Sequence, residues 1–380
     1  MWVPHGSFFI VALPVVWRYN EQMERSTFYK FFPPPRFLQM PAIGLDISDT
    51  SVRFAELVES RKGLRIGRYG EWAIPAGVID SGEIKKPLEL RMIFVDFKKK
   101  FGLDFVAVSL PEEKAYLFNQ HLPTMKRNEI RGSLELTLEE HVPIKVDEAI
   151  FDYEILEETD TVTKVGVSVL TQSLVNAYVE SFSGTGITPM IFEIEAQSIA
   201  RSVIPFGDNQ VYMIVDFGKT RTGIAIVAGG TVQFTATIPI GGGTLTDAIS
   251  KNLNIPYEEA ENMKRAKGVL GGVGDENFSL AIMSTISILR DEIARHHSYW
   301  GAHEDEYGKA RPPIKKIYLC GGDSNLSGFI DYLASGLPVS VGLANVMVNV
   351  NSLDEYVPEI SFNDSLRYAT AIGLALRRPR

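Results

Sequence analysis

The sequence predicts an α/β protein with two lobes, and three observations carry that prediction. The 380 residues exceed what one hydrophobic core organises. Strand-like runs alternate with helical periodicities along the chain. A pattern of apolar strand, acid, polar corner and second strand opens at GLDISDTSVR and returns as IVDFGKTRTG about 170 residues later.

Taken in order, strand patterns run from Ala42 to Val58 and from Leu64 to Ala73, and a helix is expected over Leu88 to Phe101. DFVAVSLP, Asp104 to Pro111, reads as a buried strand with a proline stop. From about Glu112 to Gly186 the order becomes strand, helix, strand, strand, helix, with Ile130, Leu134 and Leu138 at helical spacing in Arg127 to His141. That change marks an inserted subdomain. MIFEIEAQSIARSVI resumes as a strand entering a helix. VYMIVDF, TGIAIVA and TVQFTATI then form three strands between Val211 and Ile240, with turns at Lys219–Arg221 and Gly229–Gly230. Phe278, Ile282, Ile286, Leu289 and Ile293 line one face of a long helix. KKIYLCGGDSNLSGFIDYLASGL is a strand, glycine turn and helix, and YATAIGLALRR closes the chain as a helix.

Composition narrows the function. Apolar residues make up 45% and charged residues 22%, as in ordinary soluble domains. A net charge of −9 without a Lys/Arg block excludes the electrostatic footprint of a nucleic-acid binder. Cys320 is the sole cysteine, so no intramolecular disulfide forms and a reducing compartment is expected. FFIVALPVV is far short of the ~20 residues that span a bilayer and lacks the basic flank of a signal peptide. Residues 1–40 are therefore expected to be a flexible leader or an over-extended start, with Met23 or Met40 as the true one.

Three motifs carry chemistry. In the first, Gly44 permits close backbone approach, and Asp46 can hold the water shell of Mg²⁺, which needs only one or two carboxylates. The corner Ser48–Asp49–Thr50–Ser51 offers N–H groups and hydroxyls to phosphate oxygens. The second repeats this with Asp216 and Gly218, so two acids on two hairpins are expected to hold one metal–triphosphate. In the third, LCGGDSNLSG, glycines at a strand end let a nucleoside lie on the backbone near a helix start. His296, His297 and His303 with Glu304, Asp305 and Glu306 fit no standard ligand spacing and read as a solvated helix end. GVLGGVGDENF lacks the P-loop pattern and reads as a linker.

These motifs, in this order and with an insertion in the first lobe, resemble the actin-like ATPase superfamily. GLDISDTSVR, RNEIRGSLELTLEEHVPIKVDEAIFDYEIL, EIEAQSIAR, IPIGGGTLTDAI and YATAIGLALR bring the chain nearest to the PilM family of type IV pilus assembly, with the FtsA cell-division family next. The resemblance implies an actin-like fold of two ribonuclease-H-like lobes with an inserted α+β subdomain in the first. It places the first lobe at 41–111 and 187–208, the insert at 112–186, the second lobe at 209–245 and 314–380, and a helix-rich subdomain of that lobe at 246–313. ATP and Mg²⁺ are the implied cofactors. Gly44, Asp46, Ser48, Ser51 and Arg53 would form the first phosphate element, and Asp216, Gly218, Thr220 and Thr222 the second. Asp46 and Asp216 would hold Mg²⁺ through water. Gly321, Gly322 and Ser324 would touch adenosine, Glu261 and Lys264 would close its pocket, and Glu195 would orient an attacking water.

Two departures stand out. Ser48 replaces a glycine usual after the first acid and is followed by the extra acid Asp49, while the second corner reads Lys219–Thr220–Arg221–Thr222–Gly223. An acid beside phosphates weakens binding unless Mg²⁺, Lys219 or Arg221 offsets it, so ATP hydrolysis is expected to be slow or absent. The resemblance further implies a cytoplasmic scaffold at the inner membrane. It would dock the N-terminal cytoplasmic tail of PilN along Arg127 to His141 and its neighbouring strands, meet other pilus inner-membrane components and possess a capacity for self-association. FtsA relatives use a C-terminal amphipathic helix beyond a linker. This sequence stops at Arg380, so its membrane contact is expected to be indirect, through a partner, or else to come through the leader. The alternatives are an FtsA-like tether and a small-molecule kinase or ATPase of the superfamily; the kinase lacks an evident extra base.

Overall fold

The computed structural model describes residues 42–60, 63–269, 276–304, 308, 310–351 and 356–377. The leader 1–40, the middle of GVLGGVGDENF, Asp305 and Glu306 lie outside the described residues. The chain divides into two compact units, the first comprising residues 42–58, 67–195 and 374–377 and the second the remaining described residues.

In the first unit, β1 (Ala42–Ile47) is buried along its whole length, as its apolar run requires. It leads into β2 (Ser51–Ser60) and β3 (Gly63–Ala73), of which residues 59–60 and 63–66 count with the second unit, and into a small hairpin of β4 (Ile79–Asp80) and β5 (Glu83–Ile84). Helix α1 (Pro87–Phe101) starts on a proline that has no N–H to leave unpaired, and it ends at left-handed Gly102. Its Leu90, Phe94 and Phe97 enter the core. After β6 (Phe105–Leu110) come β7 (Tyr116–Pro123), α2 (Arg127–His141), β8 (Ala149–Glu158), β9 (Val162–Thr171), α3 (Gln172–Ser181), β10 (Thr188–Ile194) and the start of α4 (Glu195–Val203).

Five strands form a sheet in the order β10-β6-β1-β2-β3, with β1 antiparallel to β2 and parallel to β6. A separate antiparallel sheet, β7-β9-β8, shares a core with α2 in which Ile130, Leu134 and Leu138 meet Phe151, Val165, Val167 and Val169. Although the sequence assigns α3 to the insert, its Leu174, Val175 and Tyr178 pack into the core of the five-stranded sheet beside Phe94 and Phe182.

The second unit carries β11 (Tyr212–Phe217), β12 (Thr222–Ala228), β13 (Thr231–Ile238), α5 (Gly242–Leu253), α6 (Tyr257–Lys267), α7 (Glu276–Ala302), β14 (Lys316–Cys320), α8 (Phe329–Gly336), β15 (Ser340–Leu343), the single turn α9 (Phe362–Ser365) and α10 (Ala369–Leu376). Its sheet runs β13-β12-β11-β14-β15, with β11 antiparallel to β12 and parallel to β14. Each unit thus puts its first strand at the centre, with a hairpin partner on one side and a crossover strand on the other. Asp46 and Asp216 are both the fifth residue of that six-residue strand. The carboxyl ends of central strands in such sheets are where ligands gather.

The first compact unit runs to Glu195, and the second takes up the chain at Ala196. From Ala196 onward α4 packs within the second unit. A Cβ on Gly373 would stand only 1.7 Å from the Ser198 carbonyl oxygen, Arg201 donates to the Gly373 carbonyl at 2.9 Å, and Asn349 donates to Arg201 and Ile204 carbonyls at 2.8 and 2.6 Å.

Candidate phosphate corners and nucleoside pocket

In the first unit, Asp46 is buried and receives the Ser109 hydroxyl at 3.1 Å from β6. The same hydroxyl oxygen accepts the Ile47 N–H at 3.0 Å, which holds the strand end in place. Gly44 lies mid-strand opposite Ala55 and beside Ala107, where little side-chain volume intervenes between strands. Ser48 and Ser51 close the corner on each other. The Ser48 N–H donates to the Ser51 carbonyl at 2.9 Å, and the Ser51 N–H donates back to the Ser48 hydroxyl at 3.2 Å. Asp49 is also buried and accepts the Gly82 N–H at 3.0 Å. Arg53, opposite Asp46 in the β1–β2 register, donates Nε and Nη2 to Glu71 at 3.1 and 2.9 Å and brings Nη1 within 4.0 Å of the Asp46 carboxylate. Glu195 is buried at the first turn of α4, directly after β10, where a carboxylate suits the helix dipole.

In the second unit, Gly218 turns the corner by donating to the Arg221 carbonyl at 3.0 Å. The α5 start backs this corner, because Gly242 and Gly243 donate to the Gly218 and Lys219 carbonyls at 2.9 and 2.8 Å. Any Cβ on Gly241 would stand 2.4 Å from the Lys219 oxygen, which explains the first glycine of IPIGGG. Thr220 is exposed, whereas Thr222 is buried and spends its hydroxyl on the Ile240 carbonyl at 2.6 Å. Lys219 reaches over the Tyr257 ring at 6.0 Å.

The glycine turn after β14 meets this corner directly. Gly321 has φ +92°, and a Cβ there would lie 2.4 Å from Asp216 Oδ1 and 2.5 Å from the Phe217 carbonyl oxygen. The Cys320 thiol points at the same carboxylate oxygen at 3.8 Å. Gly322 is exposed, while Ser324 is buried and gives its hydroxyl to the Cys320 carbonyl.

Lys264, only 1% exposed, has its ammonium against the Gly242 carbonyl at 2.8 Å, Asp323 at 2.9 Å and Glu261 at 3.0 Å. Burial by itself would raise the Glu261 pKa. The Thr246 hydroxyl at 2.5 Å, the Lys264 ammonium and Arg265 outweigh it and leave Glu261 lowered and ionised. Glu261 and Lys264 thus stand together beside the glycine turn, tied to it by Asp323.

Sequence reasoning missed Ser109, Glu71 and Asp323. Ser109 had one visible signal, a lone hydroxyl in the apolar strand DFVAVSLP, and Asp323 follows the glycine pair; Glu71 had none. His296 and His297 are half-buried and their pKa values are lowered by desolvation. No group of three or more His, Cys, Asp or Glu side chains suited to a metal occurs among the described residues. Each unit offers one strand-end carboxylate, Asp46 beside the Ser109 hydroxyl and Asp216 beside the Cys320 thiol, and a carboxylate is the hard oxygen donor that suits a Mg²⁺ retaining its waters.

A family model described as type IV pilus assembly protein PilM matches residues 44–379. The cell-division protein FtsA of Neisseria meningitidis serogroup B is 29% identical over 180 residues, covering 42% of this chain and 41% of that protein. The chain therefore spans about two fifths of that relative's length. A solved PilM–PilN type IV pilus biogenesis complex contains a chain similar at TM-score 0.74 and 20% identity, covering 89% of this chain and 98% of that one. MreB5 of Spiroplasma citri, solved with AMPPNP, is similar at TM-score 0.55 and 13% identity over 88% of this chain and 95% of that one. At these identities the structural likenesses show the fold, which is that of the actin-like ATPases.

Proposed function

Because this chain belongs to the PilM family of type IV pilus assembly proteins, we propose that it works there as an ATP-binding scaffold that docks the N-terminal cytoplasmic tail of PilN. The observation that carries this reading is the family match over residues 44–379, together with the fold shared with the PilM–PilN complex. Among the described residues no helix is long and apolar enough to cross a membrane. The membership in a pilus assembly family is what supports a location at the inner membrane, reached through partners, in this proposal.

In this reading Asp46 and Asp216 offer carboxylates to the water shell of Mg²⁺. Ser48, Ser51, Arg53, Gly218, Thr220 and Thr222 belong to the corners that receive phosphate. Gly321, Gly322 and Ser324 shape the turn that carries adenosine, and Glu261 and Lys264 line its side. Bound Mg²⁺ supplies charge neutralisation for the triphosphate. Glu195 orients a water if hydrolysis occurs, and we expect that step to be slow. For the PilN tail we favour α2 and the β7-β9-β8 sheet.

The test is titration of ATP–Mg²⁺ into the protein and Asp46→Ala, with phosphate release followed in the same samples, and then titration of a labelled PilN tail peptide. Nucleotide binding that needs Asp46, little phosphate release and saturable peptide binding are expected. Rapid phosphate release would favour an ATPase, and absence of peptide binding would overturn the docking role.

A further inference from the structure

Gly82 is held from both sides inside the first unit. Its N–H donates to Asp49 Oδ1 at 3.0 Å, and its carbonyl accepts the Tyr178 hydroxyl at 2.9 Å. Tyr178 is fully buried on α3, among residues where a phenylalanine would fill the same space. A buried hydroxyl costs desolvation unless it is matched, so its contribution lies in where it points. The turn between β4 and β5 leaves little freedom in between. Ser81 and Gly82 have φ +50° and +73°, the pattern of a tight two-residue hairpin. A Cβ on Gly82 would stand 2.5 Å from Pro111 Cβ, so the hairpin is pressed against the end of β6. Glu83 adds a second anchor, receiving Lys114 at 2.7 Å and Lys85 at 2.6 Å.

On the other side, Asp49 sits within the Ser48–Ser51 corner, and the next residue accepts the Ile74 N–H at 2.8 Å. The corner therefore takes part of its position from the hairpin, and the hairpin takes part of its position from Tyr178.

We infer that Tyr178 is a positioning residue for the Ser48–Ser51 corner, acting through Gly82 and Asp49. Its effect on nucleotide rests on the ATP-binding reading above; its effect on the corner does not. Helix α3 follows β9 without a loop, since Thr171 both ends that strand and caps the helix by accepting the Leu174 N–H at 3.4 Å.

The experiment compares the full chain with Tyr178→Phe, Asp49→Ala and the double variant. Backbone hydrogen exchange is measured without nucleotide, and ATP–Mg²⁺ is titrated in parallel. Tyr178→Phe is expected to speed exchange at Gly82 and at residues 48–51 about threefold to tenfold, the size of one lost hydrogen bond. Exchange on β12 should not change. ATP–Mg²⁺ affinity should fall by a similar factor, and the double variant should bind no worse than Asp49→Ala alone. Faster exchange confined to α3 and the hairpin, with the corner unchanged, would overturn the inference and leave Tyr178 a packing residue. Loss of corner protection in Tyr178→Phe, in a protein that binds no nucleotide even as wild type, would uphold the positioning role and sink the ATP reading instead.

Discussion

Ser109 stands between Asp46 and the backbone of the residue after it, donating to the carboxylate at 3.1 Å while accepting the Ile47 N–H at 3.0 Å. One hydroxyl on β6 thus sets both the acid and the strand end that carries it. Ser109→Ala removes a donor from a buried carboxylate and an acceptor from a buried amide, which costs about 1–3 kcal/mol. Urea unfolding should show a lower midpoint at constant m-value, and ATP–Mg²⁺ affinity should fall. A wild-type midpoint would mean that neighbouring groups or water replace the hydroxyl.

Lys264 neutralises two carboxylates from a site with almost no solvent access. Lys264→Met leaves Glu261 and Asp323 without their shared cation, and breaking such a pair costs about 3–5 kcal/mol. Asp323→Asn should cost less, since Glu261 still partners the lysine. Denaturation of the two variants side by side tests the ranking, and equal losses would contradict it.

Gly321 has no room for a side chain. Alanine there must adopt φ near +92° and displace both the Asp216 carboxylate and the Phe217 carbonyl, so a loss exceeding about 1 kcal/mol is expected. Gly322→Ala, whose Cβ would meet nothing closer than Arg367 Cβ at 3.8 Å, should be mild. Thermal unfolding of both variants distinguishes a requirement at one glycine from a general one for the pair.

Glu83 is expected to titrate far below an ordinary glutamate. Hydrogen bonds from Lys114 and then Lys85 lower its pKa from 4.5 to about 2. A carboxylate with a depressed folded-state pKa adds stability that is fully present above pH 4.5 and is lost as pH falls through about 2. Its side chain is 47% exposed, so salt should screen the pairs and bring the midpoint back up. Carboxyl chemical shifts followed by NMR against pH, at low and high salt, measure this. A midpoint near 4.5 in both would show that the lysines do not hold it.

Much of the fold was legible because its signals are local. The β1 and β11 runs are apolar with an acid at the fifth position, and their corners are short, so period and turn chemistry alone locate the hairpins. Helix α2 shows its buried stripe as Ile130, Leu134 and Leu138. The candidate site was legible only in part, because partners such as Ser109 for Asp46 and Asp323 for Lys264 come from strands and turns about 60 residues away.

By itself, the sequence determined the α/β class, the doubled strand–acid–corner pattern, the insertion and the resemblance that the family match upholds. Each depends on spacing within a few residues of chain. Only the tertiary structure decided that α3 joins the core of the five-stranded sheet, that α4 passes to the second unit after Glu195, that Asp49 is occupied by Gly82, and that Ser324 and Thr222 turn their hydroxyls to backbone carbonyls. Those outcomes depend on which buried polar group finds a partner across the sheet, and a one-dimensional pattern holds no record of that choice.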